Sequence, residues 1–133
     1  MKPETQAHID KAAQCLRKAH AGLLAARTEP DMAENAARDA YYAAFHAAKA
    51  LIFERTGKVH KSHGGVHTEF NRLAKSEPVL NLVLRTFLKK SYAFKAIADY
   101  EASASASITP ELAETAVNDA ESFFAAIAGL LAP

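Results

Sequence analysis

The chain has no tryptophan, one cysteine, five glycines and five prolines. With Cys15 alone, an intrachain disulfide is excluded, which fits a reducing compartment. No catalytic cysteine signature surrounds it, so we read Cys15 as a small helix residue. No apolar run approaches the ~18 residues needed to span a bilayer, and the start, MKPETQAHIDKAAQ, lacks the apolar core of a secretory signal. A cytoplasmic chain without membrane contact is therefore expected. Charge of one sign is also missing. Sixteen Lys and Arg face fifteen Asp and Glu, so the molecule as a whole exerts no strong pull on nucleic acid, and any such contact must come from a local patch.

What is present is alanine, the largest contributor to a composition that is 50% hydrophobic. Scarce helix breakers and abundant alanine favour long helices packed at close range. From Thr5 to about Arg27, apolar residues at Ile9, Ala12, Ala13, Leu16, Ala19, Leu23 and Leu24 follow the three-and-four spacing of one helical face. Pro30 suits the first turn of a second helix running to about Arg55. Its inward stripe is Ala33, Ala37, Ala40, Tyr41, Ala44, Phe45, Ala48, Leu51 and Ile52, and its small side chains make it the candidate centre of a bundle. The segment Thr56–Gly65 holds three glycines and reads as a loop.

Val66, Phe70 and Leu73 mark a short third helix ending near Ser76. Beyond Pro78, Val79, Leu82, Val83, Phe87, Leu88, Tyr92, Ile97 and Tyr100 recur around a fourth, with Arg85, Lys89, Lys90 and Lys95 on or near its polar side. Ala102–Ser107 reads as a low-complexity connector. Thr109-Pro110-Glu111 supplies an N-cap, a first-turn proline and an acid for a last helix whose apolar face includes Leu112, Phe123, Ile127 and Leu131. The expectation is one all-α domain over residues 1–133: an up-and-down helical bundle of four long helices plus one short helix.

Three segments carry a family likeness: Ala37-Arg38-Asp39-Ala40-Tyr41-Tyr42-Ala43-Ala44-Phe45-His46-Ala47-Ala48, then His63-Gly64-Gly65-Val66 with Phe70, then Ala98-Asp99-Tyr100. In this order they resemble the HEPN domain family, in particular its small stand-alone members. The resemblance implies a helical bundle, often a homodimer, found beside a nucleotidyltransferase or as the toxin half of a toxin–antitoxin pair. Many relatives are metal-independent RNases that place an Arg and a His, four to six residues apart on one helix, at a dimer cleft. Here Lys95 stands where such domains commonly carry an arginine ahead of the Ala-Asp-Tyr tripeptide, and no histidine follows it. Arg55 and His60 have the permitted spacing and are the candidate catalytic pair, although Gly57 is expected to end the helix between them.

Further candidates follow from the residues themselves. Arg55, Lys58, His60, Lys61, His63, His67, Arg72 and Lys75 form the one concentrated basic stretch, and Lys58, Lys61 and His63 are its candidate phosphate ligands. Ser62 or His63 can also satisfy backbone groups at the start of the third helix. Asp99 and Tyr100 are placed to meet Arg38 or Tyr41 as either a ligand site or an interior polar network. His60, His63 and His67 lack the further ligand that would complete a tetrahedral metal set, so neither metal nor cofactor is expected. The leading reading is a binding module with a partner of the nucleotidyltransferase type and a possible RNA or nucleotide contact. An RNase toxin and a ligand-free helical adaptor are the alternatives.

Overall fold

The structure, a computed structural model, describes residues 1–100 and 108–133; the Tyr100 side chain and the Ala102–Ser107 connector lie outside the described residues. Five helices follow in order: α1 (Pro3–Ala25), α2 (Met32–Thr56), α3 (His63–Ala74), α4 (Leu82–Tyr100) and α5 (Pro110–Leu131). Among the described residues there is no strand, and the four long helices and one short helix of the sequence reading are all present.

Helix α2 packs against each of the other four. That position explains its alanines. Ala33, Ala37, Ala40, Ala44 and Ala48 are fully buried, and so are Ala36, Ala43, Ala47 and Ala50 outside the anticipated stripe. A helix enclosed on several sides has no free face, and a Cβ methyl is the largest group that lets each neighbour approach closely. Against α1 the approach is tighter still. A Cβ added to Gly22 would sit 3.2 Å from the Ala36 Cβ and 3.3 Å from its backbone. Bulk comes from elsewhere: Phe123 of α5 meets Phe70 at 5.3 Å and Phe87 at 6.0 Å between ring centroids.

Several helix ends differ from the sequence reading. Helix α2 starts at Met32 rather than Pro30, because Glu29 and Pro30 instead form a turn whose carbonyls accept the Met32 and Ala33 N–H groups. It ends as anticipated at Gly57, whose left-handed φ of 71° strains any side-chain-bearing residue. Helix α3 starts at His63 and takes in Gly64 and Gly65, which were assigned to the loop. The Ser62 hydroxyl accepts the Gly65 N–H at 3.0 Å, and this cap outweighs the low helix propensity of two glycines. Helix α4 starts at Leu82, where Asn81 Oδ1 accepts the Leu84 N–H at 3.0 Å. Thr109 caps α5 as expected, its hydroxyl accepting the Leu112 N–H at 3.2 Å.

Some apolar residues assigned to inward faces lie outside the core. Leu24, Leu112, Val79, Leu82 and Val83 are all exposed, Leu82 by 66% and Val83 by 68%. Lys95 errs the other way, buried at 6% where a polar-side residue was expected.

Candidate functional site

Tyr41 lies midway along α2, and its ring is fully buried beneath α3 and α4. Its hydroxyl lies 2.6 Å from His63 Nδ1 and 2.9 Å from His67 Nε2. The two histidines are one turn apart on α3, so they share a face and reach the same atom. A phenol has a single proton: it donates to one imidazole and accepts an N–H from the other, which ties the two tautomers together. Tyr92 of α4 closes the cluster, its ring centroid 5.2 Å from Tyr41, 5.1 Å from His63 and 5.4 Å from His67. Phe45 backs His63 at 4.7 Å.

Burial sets the proton affinities here. It pushes His63 below the ordinary imidazole value, with Lys95 adding to the effect, and pushes His67 down with His63 adding. The Tyr41 phenol is driven up by burial and by the neighbouring Tyr92 and Tyr42. At neutral pH the three groups are therefore uncharged. His46, one turn beyond Tyr42, is pushed down to about 4 by burial and then by Lys49, and its Nδ1 makes no hydrogen bond among the described residues.

Beside this cluster, Asp99 accepts from Lys95 Nζ at 2.9 Å and from Arg38 Nη1 at 3.3 Å. The Lys95 hydrogen bond, followed by that from Arg38, holds the Asp99 carboxyl below the usual carboxylate range. Lys95 Nζ also stands 6.0 Å from the Tyr92 ring centroid, so this lysine links the ionic network to the aromatic one.

The structure brings some of the candidate residues together and leaves others apart. Tyr41 and His63 come together, and Arg38 meets Asp99, so Asp99 reaches Arg38 rather than Tyr41. His63 moves out of the basic loop into the core-facing cluster, and Ser62, not His63, caps α3. Lys58 and Lys61 remain exposed on loop 57–62. Charge near that loop is partly answered, because Glu69 feels both His60 and Lys58 while pairing with Arg72. Arg55, in the last turn of α2, spends its guanidinium on Glu77 at 3.1 Å. His60 lies past the helix-ending Gly57, with a buried Nε2 that has no partner among the described residues and with Nδ1 3.4 Å from where a Gly65 Cβ would stand. The Tyr100 side chain lies outside the described residues.

His67, Tyr92 and Lys95 are the members that sequence reasoning did not assign to this site. Their spacing carries a signal: His63 and His67 lie four apart, Tyr92 and Lys95 three, Lys95 and Asp99 four. The signal becomes readable only once α3 is known to begin at His63.

No helix among the described residues is long and apolar enough to cross a membrane. Comparison with curated proteins gives no match. A family model, described as HEPN domain, matches residues 5–130 and so reaches into all five helices and takes in every residue of the two networks. The chain belongs to the HEPN domain family.

Proposed function

We propose that this HEPN chain is a binding module rather than a self-sufficient nuclease. It pairs with a second copy and with a nucleotidyltransferase-type protein, in a toxin–antitoxin arrangement, and touches the phosphate of a nucleotide or RNA through Lys58 and Lys61. The observation behind this reading is that the groups capable of chemistry are engaged with one another. Arg55 is held by Glu77, and His60 is separated from it by the left-handed Gly57. Arg38 and Lys95 converge on Asp99, and the two α3 imidazoles share the Tyr41 hydroxyl. An acid–base catalyst needs its group within hydrogen-bond reach of the proton that it moves; Arg55, Arg38, Lys95 and the two α3 imidazoles are already occupied, and the free nitrogen of His60 is buried.

The test is digestion of mixed RNA in EDTA by the wild-type chain and by an Arg55→Ala, His60→Ala double variant. RNA that stays intact with both supports the binding reading; cleavage by the wild type that the double variant loses overturns it. Light scattering on the same preparation is expected to give twice the chain mass of 14.3 kDa.

A second reading, a metal-independent RNase at a dimer cleft, draws on one observation. The uncharged His63 and His67 stand beside the ammonium of Lys95, behind a Tyr92 that is 36% exposed. There an imidazole would take the ribose 2′-OH proton and Lys95 would steady the phosphate. Cleavage that survives in the Arg55/His60 double variant and vanishes in His67→Ala would favour that reading.

A further inference from the structure

Where the end of α3 meets the first two turns of α4, the surface opens into a groove of about 730 Å³. That volume lies within the ~300–1,000 Å³ range of ligand pockets. Four cations line it: Lys75, which caps α3, and Arg85, Lys89 and Lys90 of α4. Among the described residues no acidic residue lines it, and none of the four makes an ion pair. Arg85 Nε is buried and without a hydrogen-bond partner among the described residues. Four lining cations without an ion pair among the described residues suit the groove to a ligand carrying oxyanions.

Apolar chemistry decides which oxyanion. Leu82 lines the same groove while 66% exposed, and Val79 and Val83 beside it are 55% and 68% exposed. Leu82, Arg85, Thr86 and Lys89 recur at three-and-four spacing along one face of α4, so an exposed leucine and two cations share a single strip. Among the described residues no aromatic side chain lines the groove to offer nucleic-acid bases a stacking platform. An exposed leucine flanked by cations is complementary to an amphipathic helix that carries leucines on one face and carboxylates beside them.

We infer that the α3–α4 groove is the docking site for an acidic amphipathic helix of a partner protein. This rests on the binding-module reading and states the chemistry of one partner segment. Its carboxylates pair with Arg85, Lys89 and Lys75, and its apolar face covers Leu82. Lys58 and Lys61, the proposed phosphate contacts, lie on loop 57–62 and are not part of the lining that this partner covers.

The test is selection of a displayed library of random helical peptides on the full chain, followed by anisotropy titration of the labelled consensus peptide. Titrations use the wild type, Leu82→Ser and a Lys89→Glu, Lys90→Glu double variant, with oligouridylate as competitor. All replaced residues are exposed, and circular dichroism verifies that the variants keep their helices. The consensus is expected to combine acids with leucines one turn apart, and each variant to lose roughly tenfold or more in affinity. A consensus without acids, or affinity unchanged in either variant, overturns the inference. Displacement by oligouridylate, with RNA affinity lost in the charge-reversed variant and kept in Leu82→Ser, makes the groove a phosphodiester site instead. RNA digestion tests the parent reading separately: a chain that cleaves RNA and still selects acidic peptides keeps its groove and loses only that reading.

Discussion

Tyr41 shows how much can depend on one oxygen. Its hydroxyl satisfies a nitrogen on each of two histidines. Replacing it with phenylalanine keeps the ring packing and strands both nitrogens, so Tyr41→Phe is expected to lose about 1–3 kcal/mol in urea denaturation. Acid works on the same neighbourhood. The folded chain lowers the proton affinity of His46, His63 and His67, so below the ordinary value of 6.5 the unfolded chain binds more protons than the folded one. Stability is therefore fully present above 6.5 and declines as pH falls, the His46 share being lost between 6.5 and about 4. Denaturation midpoints measured across that interval are expected to fall, and to fall less steeply in His46→Gln. Of these residues, Tyr41 and His63 stand out in the sequence through the motif segments. His67 does not, because its contribution depends on a helix start that two glycines conceal.

At the scale of elements, α3 is the shortest helix and depends on its start. Ser62→Ala removes the acceptor of the Gly65 N–H and is expected to cost about 1 kcal/mol, read from the same denaturation curves. The α1–α2 crossing is limited from the other side. At Gly22 even a methyl meets the Ala36 backbone at 3.3 Å, so Gly22→Leu is expected to destabilise the chain by about 1–3 kcal/mol. Helix count and order are legible from apolar spacing, and the cap at Thr109 from its Thr-Pro-Glu signature. The starts of α2, α3 and α4 are not legible, because Pro30, Gly64–Gly65 and Pro78 punctuate a turn and a helix alike until capping partners are known. Periodicity likewise places Leu82 and Val83 on a face without saying that nothing in the chain's described part covers them.

Across the whole molecule, α2 is the element to which every other helix attaches. Hydrogen exchange is expected to protect its central amides most strongly and loop 57–62 least. The near-balanced charge of +1 hides a local imbalance: among the described residues the α3–α4 groove collects four cations and no acid. Whole-chain composition cannot reveal this, since the cations come from two helices brought together by folding. The alanine seam of α2 has a last consequence, for how the gene tolerates mutation. With Ala33, Ala36, Ala37, Ala40, Ala43, Ala44, Ala47, Ala48 and Ala50 all at 0% exposure, nearly every change along the seam adds volume. A saturation library of α2 would then show a one-sided fitness map, with glycine, serine and cysteine as the surviving alternatives and every larger residue depleted at these sites.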